Sequence, residues 1–163
     1  MSHGHVDQAQ FRQLLGRFAT GVAVLAIRLP DGRPAGMTVN SLASVSLDPP
    51  LVAACIAHGA DLHDALAASP GFALSILGEG QEALSRRFSG ARTDRFAGVG
   101  HRPSPGGHPI LDGALAWIEC AHYAAVPGGD HTILLGRVVR GEAGDGAPLI
   151  FYRGGYTGLR RGS

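Results

Sequence analysis

The chain has 163 residues, 45% hydrophobic and 17% charged, with a formal net charge of +1. That length suits a single domain with a real core, 1–163, and the composition excludes a disordered chain. A near-neutral balance with no basic block argues against nucleic acid as a partner.

No apolar run approaches the roughly 18 residues of a membrane span. The opening MSHGHVDQAQ lacks a basic segment followed by an apolar one, so no export signal and no membrane association are expected, and residues 1–8 read as a disordered tail. Cys55 and Cys120 sit inside apolar segments, which fits reduced thiols in a cytoplasmic protein better than a disulfide framework. All 14 cationic side chains are arginine. Schiff-base and Walker-type lysine chemistry is therefore excluded, and any phosphate must be held by arginine, hydroxyls or backbone amides.

In chain order, FRQLLGRFATG places Phe11, Leu14, Leu15 and Phe18 at helical spacing, with Gly21 as a stop. GVAVLAIRL, the turn PDGRP and AGMTVNSLASVSL read as a β-hairpin. Pro49 and Pro50 end its second strand, and Leu51 to Ala57 starts another. ADLHDALAASP is a short helix capped by Asp61 and ended before Pro70. A strand over Phe72 to Leu77 and a helix over Gln81 to Phe88 follow, then a Gly-, Pro- and Arg-rich excursion from Ser89 to His108. The last third alternates strand and turn: ALAWIECAHYAAV, PGGD, HTILLGRVVRGEA and PLIFYR. Many strands on tight turns with a few short helices predict a mainly β, antiparallel barrel.

Some motifs mislead. GEGQEA, Gly78 to Ala83, matches G-x-G-x-x-A, but RRFSGARTDRF follows where a βαβ unit needs an apolar strand, and Glu79 would oppose a pyrophosphate. A glycine turn into a helix is the better reading. His58, His63, His101, His108 and His122 show no metal-ligand spacing, so no metal is expected. No G-x-S-x-G elbow supports hydrolase chemistry.

The informative stretch is GMTVNSLASVSLDPPLV. Strand alternation puts Thr38, Asn40, Leu42, Ser44 and Ser46 on one face and Val39, Ser41, Ala43, Val45 and Leu47 on the other, if no bulge intervenes. Isolated Ser and Thr side chains are usually satisfied by water or neighbouring strands. So dense a run of polar groups beside small residues suits a flat heteroaromatic ligand with many hydrogen-bonding edges.

That segment, with FRQLLGRFATGVAVL, FALSILGEGQEALSRRF, GGDHTILLGRV and PLIFYRGGY, resembles the flavin reductase-like family, the small reductase components of two-component flavin-dependent monooxygenases. The resemblance implies an FMN-binding split-barrel fold. It implies that Thr38, Val39, Asn40 and Ser41 wrap the flavin ring, with further contacts near Ser44, Val45 and Ser46. Arg87, Phe88 and Ser89 would hold the ribityl phosphate end. Arg86 reads equally as a solvated helix face, and Phe88 equally as core.

Asp61 is assigned to the cofactor site through HGADLHD, a segment in which the family often carries Ser or Thr. There the chain departs from the pattern, since Asp61 and Asp64 are poor neighbours for a phosphate. Asp130 and His131 match the family's GDH motif beside the nicotinamide, which makes His131 the catalytic candidate. Tyr152, Arg153 and Tyr156 would cover flavin or dinucleotide, or simply pack.

The implied activity is hydride transfer from NADH or NADPH to FMN or FAD by a homodimer that supplies reduced flavin to a partner monooxygenase. Such chemistry needs no side-chain nucleophile, only positioning. A flavin-binding electron carrier without nicotinamide turnover and a pyridoxamine-phosphate-oxidase type of flavoenzyme are the alternatives. Steady-state NADH oxidation with excess flavin separates the carrier. The oxidase would need a stronger cationic pocket than this chain offers outside Arg86 to Arg102.

Overall fold

The computed structural model describes residues 5–159. Helix α1, Gln8–Leu15, begins behind Asp7, whose carboxylate accepts from the Gln10 amide at 2.8 Å. The expected tail over 1–8 lies in part outside the described residues, and Gln8 is already helical. The helix stops at Gly16 rather than running to Gly21, which lies in strand β1, Thr20–Gly21. Its apolar stripe does not reach the core, for no residue of α1 is buried.

Strand β2, Ala23–Arg28, forms the expected hairpin with β3, Pro34–Val39. An unbroken apolar run such as VAVLAI suits a strand covered on both faces. Leu25 and Ile27 enter one core cluster with Ile56, Phe72, Leu74 and Leu134, while Val24 and Ala26 enter a second with Leu77, Phe88 and Phe96.

The stretch read as one strand is broken. After Val39 the chain is irregular through residues 40–42 and resumes as β4, Ala43–Leu47, which pairs with β5, Pro50–Ala57. Strands β3 and β4 lie at opposite ends of the sheet order, so residues 40–42 carry the chain from one edge to the other. The two-face alternation from Thr38 to Ser46 cannot run through that crossing, and a register shift between Ser44 and Ser46 disturbs it again.

Helix α2, His63–Ala68, is capped at Leu62 without a side-chain hydrogen bond. Asp61 does not cap it, because its carboxylate is taken by Arg95 at 3.0 Å. Strand β6, Gly71–Ile76, leads through a 3-10 turn, Glu79–Gln81, to α3, Glu82–Ser89, with no parallel strand after it. The excursion that follows contains a small hairpin, β7 His101–Pro103 with β8 Pro109–Leu111. It was legible only as loop because its strands are short and flanked by Gly and Pro. Its tip is fastened by the buried Glu119 carboxylate, which accepts from Ser104 Oγ at 2.6 Å and from the Gly106 amide at 2.7 Å.

Two long strands complete the sheet: β9, Ala116–Gly128, and β10, His131–Ala143. The Gly129–Asp130 turn between them has Gly129 at φ 73, the first-position glycine of a type II′ hairpin. The full order is β3-β2-β6-β9-β10-β5-β4, antiparallel throughout. PLIFYR supplies β11, Ile150–Tyr152, which joins not this sheet but a three-stranded one with β1 and β12, Gly155–Thr157. Both cysteines are free, and burial pushes the Cys120 thiol up to about 12.

One buried base makes the fold sensitive to acid. His108 is 9% exposed, and its Nδ1 has no hydrogen-bond partner among the described residues. Burial holds its pKa below the ordinary 6.5, with Arg28 acting in the same direction and Glu119 against it. A depressed folded-state pKa means the native state binds fewer protons, so this stabilisation is complete above about pH 6.5 and is lost as pH falls. The melting temperature should therefore drop between about pH 7 and about pH 5, and His108→Gln should flatten that drop. Equal pH slopes in the two proteins would contradict the assignment.

Candidate active site

The crossing at 40–42 is where the polar stretch acquires a use. Asn40, Ser41 and Leu42 make no backbone–backbone hydrogen bond among the described residues, so their amides and carbonyls stand outside the sheet ladder. The crossing is nevertheless held in place. Ser41 Oγ accepts from the Cys55 amide at 2.9 Å and donates to the Cys55 carbonyl at 3.2 Å, pinning it to β5.

Two cavities flank this segment, with Asn40 and Phe151 lining both. The larger, about 570 Å³, lies between Asn40–Ala43, the exposed apolar side of α1 and the Arg153–Gly154 turn. This is what the stripe of Phe11, Leu15 and Phe18 faces. The smaller, about 260 Å³, is walled by Thr38, Ser85, Ser89 and Tyr156. Thr38 Oγ1 donates to the Ser85 carbonyl at 2.7 Å, and Ser85 Oγ shares a hydrogen bond with Tyr156 Oη at 2.8 Å. The Arg86 guanidinium lies 4.9 Å above the Tyr156 ring and is paired with Glu82.

The structure separates the sequence candidates by place. Thr38, Asn40, Ser41, Ser89 and Tyr156 line one or both cavities. Val39 and Phe88 are buried in the core at 5% and 0% exposure, so only their backbones could meet a ligand. Ser44, Val45 and Ser46 follow on edge strand β4, and Tyr152 on β11, without lining either cavity. Arg87 points away into the excursion, where its guanidinium donates to the carbonyls of Arg95 at 2.6 Å, Asp94 and Ala97. Asp61 is paired with Arg95. Ser85 and Phe151 went unrecognised, although both lie inside the quoted segments. Phe11 and Phe18 stood out only as an apolar face at helical spacing, because periodicity reports such a face and not its neighbour.

His131 opens β10, opposite Ala57 of β5. Its Nδ1 donates to Asp130 at 2.7 Å, and that bond, with the imidazole's charge, holds the Asp130 carboxyl below the usual range. Cys55, where Ser41 is pinned, pairs with Ile133, two residues further along the same strand. Alternation puts His131 and Ile133 on one sheet face, about 7 Å apart. Nearby, His63 Nε2 meets Thr132 Oγ1 at 2.8 Å and Nδ1 meets Asp64 at 2.8 Å. Among the described residues, no group of three or more acidic, His or Cys side chains could hold a metal ion.

A curled antiparallel sheet with an unpaired polar crossing between two cavities fits a planar ring with hydrogen-bonding edges and an anionic tail, the chemistry of a flavin. The comparisons with known proteins agree. The chain belongs to the family described as "Flavin reductase like domain", which matches residues 15–160. It is 43% identical over 159 residues to "FMN reductase (NADH) SmoA" of Agrobacterium fabrum, covering 97% of this chain and 90% of that one. It is 40% identical over 155 residues to "Flavin-dependent monooxygenase, reductase subunit HsaB" of Rhodococcus jostii, covering 94% and 79%. Among solved structures, nitrilotriacetate monooxygenase component B from Mycobacterium thermoresistibile superposes with a TM-score of 0.91 at 41% identity, covering 95% of this chain and 88% of that one. The antiparallel fold is thus of the split-barrel type.

Proposed function

We propose that this protein transfers hydride from NADH or NADPH to FMN or FAD and hands the reduced flavin to a partner monooxygenase. The observation that carries the site is the unpaired backbone of residues 40–42, pinned by Ser41 between two cavities. Asn40 to Ala43 would hold the flavin ring, their unpaired amides and carbonyls meeting its polar edge. Ser85, Ser89 and Tyr156 would receive the ribityl end, with the Arg86 guanidinium lying over the Tyr156 ring.

The cofactors supply the redox chemistry. The chain supplies position: Thr38 and Ser41 are fixed by their own hydrogen bonds and hold the crossing rigid. Asp130 orients His131, leaving Nε2 without a partner among the described residues and able to donate to the carboxamide of a nicotinamide. Arg87 serves this site by holding the excursion beside α3, not through direct phosphate contact.

A homodimer is supported by the apolar outer side of edge strand β4, where Val45 and Leu47 are 51% and 95% exposed. Unpaired cysteines favour a cytoplasmic setting. No helix among the described residues is long and apolar enough to cross a membrane.

Ser41→Ala tests the ring assignment. Losing the two bonds to Cys55 frees the crossing, and flavin affinity should fall about tenfold, the scale of one net hydrogen bond. Fluorescence titration with FMN and FAD reads this directly. Unchanged affinity for both flavins would place the ring elsewhere.

A further inference from the structure

His131 opens a strand, and a strand end frays unless something holds it. Its pair on β5 is Ala57, the final residue of that strand, and the chain that follows supplies two further holds. The His58 amide donates to the Asp130 carbonyl at 3.0 Å. His63, the first residue of α2, brings its Nε2 to within 2.8 Å of Thr132 Oγ1. Residues 58 and 63 thus grip the positions on either side of His131.

The contact lies behind His131 rather than beside it. Strand alternation turns Thr132 to the opposite sheet face, the one on which Leu134 is buried. Helix α2 packs there too, through Leu66, which is buried in the same core cluster as Leu134. An apolar pair would pack at least as well on such a surface, and a polar pair must answer itself to offset lost hydration. The His63 side chain is 18% exposed, and its Nδ1 is held at 2.8 Å by the fully exposed Asp64 carboxylate. A hydroxyl both donates and accepts, so Thr132 holds Nε2 whether or not that atom carries a proton. The rings of His58 and His63 meet edge to face at 5.0 Å, which ties the two holds together.

Directional bonds of this kind lock a geometry that apolar packing leaves looser, and hydride transfer is sensitive to small displacements. We infer that His63 is a positioning residue for the reaction. Through Thr132 it fixes the start of β10, and with it the His131 imidazole, from the far side of the sheet. The inference rests on the reading of His131 as the group that meets the nicotinamide.

The test combines steady-state rates with flavin binding in the full-length protein. Thr132→Val removes the hydroxyl while keeping the shape and the strand preference, and His63→Ala removes the imidazole. In each, NADH oxidation at saturating NADH and flavin should slow about three- to tenfold. Dissociation constants for FMN and FAD from fluorescence titration should stay at their wild-type values. His63→Gln, whose amide reaches where Nε2 lies, and Thr132→Ser should each recover most of the rate. In a His131→Ala background, adding Thr132→Val should cost no further rate, because the two residues act on one step.

A full wild-type rate in Thr132→Val would overturn the inference, and that result decides the matter even if His63→Ala does not fold. So would a loss that stays as large in the His131→Ala background, which would assign the pair to general stability. So would a parallel loss of flavin affinity, which would assign it to the flavin site. Failure of the His131 reading has a different signature. His131→Ala would then turn over at the wild-type rate and the inference would fall with it, whereas a slow His131→Ala beside a full-rate Thr132→Val removes the inference alone.

Discussion

Replacing His131 with alanine is expected to slow nicotinamide-driven flavin reduction by about 10- to 100-fold, the scale on which a lost positioning contact acts in a two-reactant step. His131 is fixed by its bond to Asp130 and by its place at the start of β10, and it lines neither cavity beside residues 40–42. The loss should therefore fall on nicotinamide orientation while flavin affinity changes little. Following the nicotinamide absorbance band at saturating flavin separates the two effects. Full wild-type rates in His131→Ala would remove His131 from the mechanism. Asp130→Asn should show a smaller defect, since an amide oxygen can still accept from Nδ1.

Phe88→Ala should be the most damaging single substitution for stability, at about 3–5 kcal/mol. The Phe88 ring is fully buried, lies 4.9 Å from Phe96 in an edge-to-face pair, and joins α3 to the far face of β2. It also anchors the excursion, whose Phe96 and Val99 pack into the same cluster. The melting temperature should fall by on the order of 10 °C for a chain this size. Calorimetry reads it, and a drop under about 3 °C would show that the second core cluster does not depend on this ring. Flavin affinity of the folded fraction should be nearly unaffected, because the side chain reaches neither cavity.

Much of this architecture was legible because burial leaves a periodic trace. VAVLAI, FALSI and LVAACIA each read as a strand from their apolar runs, and the glycines of PGGD marked the hairpin that presents His131. The break between β3 and β4 was not legible. NSLA contains no glycine or proline, and its polar–apolar rhythm continues across the crossing, so an edge-to-edge passage imitates one long strand.

Side-chain destinations were equally hidden. SRRFS read as the segment for the phosphate end, yet only the fold shows Arg87 turned toward loop carbonyls, Phe88 turned into the core and Ser89 facing the smaller cavity. Asp61 looked like a helix cap, because its competing partner Arg95 comes from a distant loop that no local pattern connects to it.

The most direct test follows amide hydrogen exchange with and without FMN. Residues 40–42, whose amides have no backbone partner, should exchange rapidly in the free protein and become protected when FMN binds. The neighbouring amides of β2, paired by β3 on one side and β6 on the other, should change little. Protection confined to other segments, with 40–42 still exchanging freely under saturating flavin, would contradict the placement of the ring.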